Sequence, residues 1–306
     1  MKNFIFGSGI TGYLAKRIFM DHILIPFKRS RYFYFEIPWS DNFIKYDKDI
    51  DDFMRNFVAD GSPMLIYKSP FSYNGQLFYD KTDDIVSEYL SKMYDDVPLF
   101  ADKLLQTTFT IYPISVKNIH DMMQHKLNGE IRSGIRLGEL VNIDIKNRLF
   151  ILRDSKTGAT SKHEYDKIIS TIPLDALCRY CNLSIDIKSK NICYYVINAD
   201  VNLEGAQQCY VVDNDISFFK VNDVGGNYLF WSTEIIDNPY SYFGKFLNYK
   251  IDIMEAHIID NAMPIGNIPD LRFFEDNGIY CVGSNAQWDD NMDISSSVRR
   301  LLRLKQ

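Results

Sequence analysis

The chain has 306 residues, about twice the usual length of one domain, so one large domain or two are both open. Its 20 Tyr, 21 Phe and 3 Trp exclude an intrinsically disordered chain, because disordered chains lack the apolar side chains that offset chain entropy. Forty acidic residues against 34 basic ones give a net charge of -6. No general nucleic-acid affinity is expected, since that affinity comes mainly from neutralising phosphates.

The sequence also predicts the cellular location of the protein. It contains no apolar run of about 18 residues, so we expect no membrane span, and its beginning lacks the pattern of a secretory signal. Five cysteines, an odd number, favour a reducing, cytoplasmic setting. Cys178 and Cys181 form one C-x-x-C pair, which we interpret as structural, because a redox pair needs an accessible, easily ionised thiol.

The predicted elements begin with a strand at Asn3 to Phe6, a short apolar run that ends at glycine. Apolar residues at helical spacing then predict a helix from Ile10 to Met20. Two strand-like segments follow at 22–27 and 32–37. Acidic and aromatic residues at helical spacing predict a helix over 49–57. This opening order of strand, helix and strand is typical of a nucleotide-binding half.

The rest of the chain alternates between helical and strand patterns. Asn74-Gly75 between two apolar runs predicts a hairpin over 70–79. We predict further helices over 82–93, 97–105 and 115–127, strands within 134–153, 167–172, 190–235 and 278–282, and a C-terminal helix. The whole order predicts a mixed α/β protein with a strand-rich second region.

The sharpest motif is Gly7-Ser8-Gly9-Ile10-Thr11-Gly12, which follows the first strand and opens the first helix. In such a loop Gly7 allows the tight turn, Gly9 lets a pyrophosphate approach, and Gly12 lets helix and strand pack closely. The pyrophosphate binds the unpaired N–H groups of the helix N-terminus. This context favours a dinucleotide site over a glycine turn without a ligand.

Dinucleotide sites also need an acidic residue after the second strand, to bind the ribose hydroxyls. Glu36 closes the run 32–35 and lies 24 positions after Gly12. We favour Glu36, although a solvated acid at a strand end is an alternative. In the other register the second strand is 22–27, and basic residues follow it at Lys28, Arg29 and Arg31.

Four sequence blocks occur in a characteristic order. They are Gly7 to Gly12; Tyr112-Pro113 with the helix around Ile119; Leu140 to Ile143 with Tyr165 to Leu174; and Gly278 to Gly283 with Asn285 to Asp293. Together they resemble the flavin-dependent amine oxidase superfamily, which includes protoporphyrinogen-oxidase-like and UDP-galactopyranose-mutase-like FAD proteins. The blocks span nearly the whole chain.

The resemblance implies an α/β fold in which a Rossmann-like FAD-binding domain of the GR2 type carries an inserted, strand-rich substrate domain. It implies the cofactor FAD and a small-molecule substrate. The FAD-binding domain would comprise 1–60, 115–180 and 265–306, and the substrate domain 61–114 and 181–264.

The resemblance also implies which residues meet FAD. Gly7 to Gly12 would hold the pyrophosphate and Glu36 the ribose. The backbone at Leu140 would meet adenine. Thr171, Gly283 and Ser284 would lie at the cofactor, with Asn291 and Met292 on its flavin side.

Two residues are candidates for the chemistry. Lys220 falls where such folds place a basic residue facing the substrate, although a solvated strand lysine is an equal alternative. Trp288 lies just beyond the cofactor turn and would contact the substrate. Tyr194, Tyr195 and Trp231 would line an aromatic cavity, or simply pack in the core, as buried aromatic residues usually do.

The function implied is an FAD-dependent oxidoreductase that oxidises a C–N bond of a small amine or amino acid. A flavin-dependent isomerase of the galactopyranose-mutase type is an alternative, against which stands Ser284 in place of arginine. A third possibility is a nucleotide-binding partner subunit without catalysis, favoured by the lack of Gly-Gly after the second strand. The oligomeric state and the substrate are left open.

Overall fold

The computed structural model describes residues 2–26, 43–74, 76–94, 105–114, 118–119, 121–122, 138–154, 156–198, 203–223, 227–236, 252–265, 269–287 and 293–306. The chain divides into two compact units. Unit 1 comprises Met1–Gly61, Ile114–Ile187 and Ile268–Gln306, and unit 2 comprises Ser62–Pro113 and Lys188–Asn267.

The elements below are numbered in chain order over the described residues. The strands β1 to β16 are Asn3–Phe6, Ile23–Ile25, Leu65–Lys68, Phe71–Tyr73, Gln76–Phe78, Thr108–Ile111, Glu139–Asp144, Leu149–Arg153, Thr160–Glu164, Lys167–Ser170, Lys188–Asn198, Gln208–Val211, Phe218–Asp223, Tyr228–Ser232, Asp252–Ile265 and Ile279–Cys281. The helices α1 to α7 are Ile10–Ile18, Asp51–Met54, Asp83–Met93, Leu174–Tyr180, Arg272–Asp276, Ser284–Gln287 and Ile294–Lys305. Short 3-10 turns at Lys48–Ile50 and Arg55–Phe57 flank α2.

Unit 1 is built on a parallel sheet in the order β16-β10-β1-β2. Adjacent residues such as Phe4 and Ile5, or Ile168 and Ile169, are all buried, which means that both faces of the sheet are covered. Continuous apolar runs of this kind are typical of parallel strands. Because all four strands run the same way, their carboxyl ends lie at one edge of the sheet.

Helix α1 connects β1 to β2, and the C-terminal helix α7 packs against it. At the end of α1 the buried ammonium of Lys16 donates to the carbonyls of Met20, at 2.6 Å, and His22, at 2.5 Å. A cation at this end suits the helix dipole. The lysine therefore fixes the turn that leads from α1 into β2.

A second sheet of unit 1 is the antiparallel meander β7-β8-β9. Its Phe150 makes edge contacts with Phe4 and Phe6 of β1, with ring centroids 4.7 Å and 5.2 Å apart. Leu140 of β7 belongs to the same apolar cluster and is buried. The meander thus packs on the parallel sheet through aromatic and aliphatic side chains.

Unit 2 is dominated by a seven-stranded sheet in the order β15-β11-β14-β13-β12-β4-β5. Its pairs are antiparallel except for β12 with β4. Alternate residues such as Tyr195, Phe230 and Val221 form an apolar cluster. Helix α3 packs Tyr89 against Phe71 and Tyr210. The strands β3 and β6 form a separate pair.

The structure confirms the mixed α/β class and several predicted elements. The hairpin is formed by β4 and β5, with Asn74 at a φ of 52°, as a tight turn requires.

The preferred second strand, 32–37, was wrong as the neighbour of β1. The paired strand is Ile23–Ile25, within the alternative segment, because its apolar residues continue the buried sheet. The segment 32–37 itself lies outside the described residues.

None of the helices in the described part of the chain has the length and apolar content that a bilayer crossing requires.

Lys92 of α3 joins three parts of unit 2. Its ammonium donates to the carbonyls of Val211, at 3.0 Å, and Asp213, at 2.7 Å. The Asp213 carboxylate in turn accepts the backbone N–H of Asn74 in the hairpin turn, at 2.8 Å. Burial lowers the pKa of Lys92 to about 8, although Asp213 and Asp215 act to raise it. At neutral pH the partly buried Lys92 cation therefore lowers the free energy of unfolding.

We expect Lys92→Met to remove a pH dependence of stability. Between about pH 8 and pH 10.5 the unfolded chain holds the Lys92 proton and the folded protein releases it, so the cost of the buried cation disappears and the free energy of unfolding rises with pH. Across this window the wild type should gain on the order of 2 kcal/mol in free energy of unfolding relative to Lys92→Met. Urea titrations at several pH values measure this. Lys68→Met, at an exposed lysine of the same unit, should follow the wild type; parallel wild-type and Lys92→Met curves would contradict the assignment.

Candidate functional site

The glycine loop lies at the carboxyl edge of the parallel sheet, between the end of β1 and the start of α1. The Gly7 N–H donates to the carbonyl of Ile25, the last residue of β2, at 2.9 Å. On the other side, Thr171 follows β10 and donates to the carbonyl of Phe6 from both its backbone N–H, at 2.8 Å, and its hydroxyl, at 3.0 Å. The loop is thus held from both neighbouring strands.

Two of the loop glycines are required by the packing of the chain itself. Gly7 has a φ of +111°, and a Cβ there would lie 2.3 Å from Oγ1 of Thr171. A Cβ on Gly12 would lie 2.1 Å from the Gly7 carbonyl oxygen. Both distances are far below van der Waals contact, so no side chain fits at either position. The roles predicted for these glycines, a tight turn and close packing, agree with this geometry.

Gly9 differs from the other two. It is exposed, its φ of -70° and ψ of -179° suit any residue, and a Cβ added there would meet nothing within 4 Å. The packing of the described chain therefore gives no reason for glycine at this position. The open space is where a group bound at the start of α1 would approach the backbone.

The first turn of α1 has no side chain that offsets the positive end of the helix dipole. Gly9 is the N-cap residue and supplies no side-chain cap, and the first turn holds no acidic residue. The first N–H donor with an intrahelical acceptor is that of Tyr13, which donates to Gly9 at 3.1 Å. The N–H groups before it have no acceptor within the helix. Together with the helix dipole, these donors favour an anion.

A second glycine turn packs against the first turn of α1. Gly283 follows β16, has a φ of +109°, and a Cβ on it would lie 3.4 Å from Oγ1 of Thr11. Val282 beside it donates to the Ser170 carbonyl at 2.9 Å, which ties this turn to β10. Ser284 then begins α6. The first and last sequence blocks, 271 positions apart between Gly12 and Gly283 (283 − 12), therefore meet at one edge of the sheet.

The predicted cofactor residues divide into three groups. One group lies together at this edge: Gly7, Ser8, Gly9, Ile10, Thr11, Gly12, Thr171, Gly283 and Ser284. Leu140 lies in the core between the meander and the sheet, with its side chain buried. Glu36, Asn291, Met292 and the catalytic candidate Trp288 lie outside the described residues.

Lys220, the other catalytic candidate, lies on β13 of unit 2. Its ammonium stands 5.9 Å from the ring centroid of Trp231, its partner on β14. Trp231 packs at 5.3 Å against Tyr194, and both rings are buried in the described structure. Burial of this degree is what core packing, the alternative to an aromatic cavity, would produce.

A buried chain of hydrogen bonds supports Trp231, and sequence reasoning missed it. The indole N–H donates to Oδ1 of Asn222 at 3.0 Å, Nδ2 of Asn222 to Oε1 of Gln208 at 2.9 Å, and Nε2 of Gln208 to Oγ of Ser69 at 2.7 Å. Because an indole can only donate, it fixes the orientation of both amides. The only available sequence signal was polar residues at strand positions that turn out to be buried.

The C-x-x-C pair has the character of structural cysteines. Burial raises the pKa of the Cys178 thiol to about 11 and that of Cys181 to about 12. Thiols of this kind are almost entirely un-ionised at neutral pH and react poorly. Among the described residues no group of three or more His, Cys, Asp or Glu side chains could hold a metal ion.

No protein-family model matches the sequence, and no curated protein matches it either. Solved structures do share the fold. Reduced UDP-galactopyranose mutase has a TM-score of 0.68 at 12% identity, covering 99% of this chain and 93% of that one. An oxidoreductase from Methanosarcina mazei has a TM-score of 0.56 at 13% identity and 99% coverage of both chains. The flavin-dependent monooxygenase PieE, in complex with FAD and substrate, has a TM-score of 0.60 at 10% identity, covering 99% of this chain and 56% of that one.

This chain therefore has the fold of these enzymes, and the resemblance inferred from the sequence is confirmed at the level of the fold.

We expect Gly12→Ala and Gly9→Ala to differ sharply in stability. The new Cβ of Gly12→Ala would meet the Gly7 backbone, so one of the two segments must shift, at a cost of about 1–3 kcal/mol. The Gly9→Ala side chain meets nothing, so its cost should be limited to the lower N-cap preference of alanine, below about 1 kcal/mol. Chemical denaturation of the two purified variants measures both values. Equal stabilities would show that the loop does not pack as described.

Proposed function

We propose that the protein is an FAD-dependent oxidoreductase whose cofactor pyrophosphate binds at the glycine loop, Gly7–Gly12. The observation that carries this is Gly9, a glycine that the protein's own packing does not require, at the uncapped start of α1. The shared fold with flavoenzymes supports the identity of the ligand. Unit 1 would be the FAD-binding domain and unit 2 the substrate domain.

The residues present suit this group. A pyrophosphate carries negative charge, and the loop offers backbone N–H donors with no acidic side chain in the first turn of α1. Thr11 and Gly283 lie together next to the loop, and Ser284, which follows Gly283, would add a hydroxyl. The backbone at Leu140 would meet the adenine. Glu36 loses the position predicted for it at the ribose, because the strand beside β1 is Ile23–Ile25 and not the segment that Glu36 closes. Asn291 and Met292 would lie on the flavin side.

For the reaction, we propose oxidation of a C–N bond in a small amine or amino acid. Bound flavin supplies the two-electron acceptor, and the protein supplies orientation and exclusion of water. Lys220 would pair with the carboxylate of an amino-acid substrate, and Trp288 would contact the apolar part of that substrate. The partly exposed position of Lys220 over the Trp231 ring supports this role, since an ammonium held there is partly desolvated.

The direct test is a visible absorption spectrum of the purified protein, before and after incubation with FAD and removal of the free cofactor. We expect flavin bands near the positions of bound FAD, and their anaerobic bleaching by members of a panel of small amines and amino acids. A protein that stays colourless after incubation would refute FAD binding. A yellow protein that no amine bleaches would refute only the C–N chemistry.

The variant Gly9→Ala tests the site itself. Its methyl group would occupy the space in which the pyrophosphate approaches the backbone, so the Kd for FAD should rise at least about tenfold, while the protein stays folded with only a small loss of stability from the N-cap change. Isothermal titration calorimetry measures the Kd. Arg17→Ala, at an exposed position in the last turn of α1, is the matched control and should bind FAD like the wild type. Unchanged affinity in Gly9→Ala would place the cofactor elsewhere.

A mutase is the second candidate, favoured by the shared fold with UDP-galactopyranose mutase over 99% of this chain. It would require reduced flavin and a sugar nucleotide. Dithionite-reduced protein incubated with UDP-galactopyranose would then give a ring-contracted product by chromatography, whereas oxidised protein would give none. Ser284, where an arginine would bind phosphate bidentately, counts against this candidate.

A nucleotide-binding subunit without catalysis remains the third candidate. Native mass spectrometry separates it from the two enzymes, because a stable apoprotein within a defined complex would be its signature.

A further inference from the structure

The hydroxyl of Thr171 has a role that differs from cofactor contact. A hydroxyl carries one proton, and the Phe6 carbonyl oxygen, at 3.0 Å, can only accept. The Thr171 proton is therefore committed to Phe6. A phosphate oxygen is also only an acceptor, so Thr171 has no proton to offer it while this bond is kept.

The same oxygen lies under the glycine loop. It is the nearest atom to a Cβ built on Gly7, at 2.3 Å, and lies 3.1 Å from one built on Gly12. Thr171 thus fills the space that Gly7 leaves empty and borders the space at Gly12, most of which the Gly7 carbonyl occupies. Gly9 is exposed, and its own Cβ would meet neither Thr171 nor any other atom within 4 Å.

The bond also joins two strands at the point where both end. The backbone N–H of Thr171 donates to the same Phe6 carbonyl at 2.8 Å, so that one oxygen accepts twice from one residue. Phe6 is the last residue of β1, directly before Gly7. Any shift of the Thr171 side chain therefore moves the residue from which the loop starts.

From this geometry we propose that Thr171 is a positioning residue, which holds the glycine loop in its ligand-binding shape without touching the cofactor. The predicted effect on ligand binding rests on the proposed function. The predicted effect on the loop of the apoprotein does not. This positioning role replaces the contact role that the resemblance implied for this threonine.

Three substitutions at Thr171 distinguish the effect of its hydroxyl from the effect of its methyl group. Thr171→Ser keeps the oxygen and removes the methyl. Thr171→Ala differs from Thr171→Ser by that oxygen alone. Thr171→Val replaces the oxygen with a methyl, which needs about 3.5–4.0 Å from its carbon neighbours and would press on Gly7 and Gly12. Thr110→Val, at an exposed threonine of β6 in unit 2, is the control.

Hydrogen exchange of the apoprotein tests loop support without any ligand. We expect faster exchange across the loop and the first turn of α1 in Thr171→Ala and Thr171→Val, and wild-type exchange in Thr171→Ser and Thr110→Val. If Thr171→Val does not fold, the pair Thr171→Ser and Thr171→Ala still isolates the hydroxyl. Unchanged exchange in Thr171→Ala would overturn the proposal.

Calorimetry with FAD and with ADP tests whether Thr171 contacts the flavin side of the cofactor. The two ligands share the diphosphate, so a displaced loop should weaken both by the same factor, about five- to tenfold in Thr171→Ala. Weakening of FAD alone would mean that Thr171 touches the flavin side, and would overturn the proposal. If the wild type binds neither ligand, the proposed function fails, while the exchange experiment still decides the role of Thr171 in the loop.

Discussion

The candidate site depends on one close approach, that of Thr171 and Gly12 to the backbone at Phe6 and Gly7. Because the Phe6 carbonyl accepts twice from Thr171, the ends of β1 and β10 are fixed to each other. Because Gly12 lies against the Gly7 carbonyl, the first turn of α1 is fixed to the end of β1. The direction of the helix and the exposure of its N-terminus follow from these contacts, which require a hydroxyl at position 171 and glycine at positions 7 and 12.

Local patterns predicted the elements on which this arrangement is built. The strand Asn3–Phe6, the helix after it and the hairpin at Asn74 each follow from a few adjacent residues. The choice of the second strand did not, because two apolar segments competed and only pairing with β1 decides between them. The long strand Asp252–Ile265 was also missed. Its pattern is interrupted by charged residues such as Asp252 and Glu255, and pairing with β11 along most of its length makes it a strand.

Contacts between distant residues lay beyond sequence reasoning for the same physical reason. The Thr171 hydroxyl and the Phe6 carbonyl are 165 positions apart, and Gln208 and Ser69 are 139 apart. Thr171 could be noticed as part of a turn, but its bond partner could not. In unit 2, the indole of Trp231 sets the direction of the buried amide chain through Asn222. No local sequence pattern indicates this hydrogen bond. Buried polar groups of this kind are costly unless every member is paired, so they specify one packing of the sheet.

The three loop glycines carry different information. Gly7 and Gly12 would be needed even in a protein that bound nothing, since the backbone leaves no room for a side chain. Their presence is evidence about folding. Gly9 is ordinary in conformation and open in its surroundings, and Ser or Asp at an N-cap would stabilise the helix more. Because a capping side chain would stabilise the free protein more than this glycine does, we propose that the uncapped helix N-terminus is used to bind an anion.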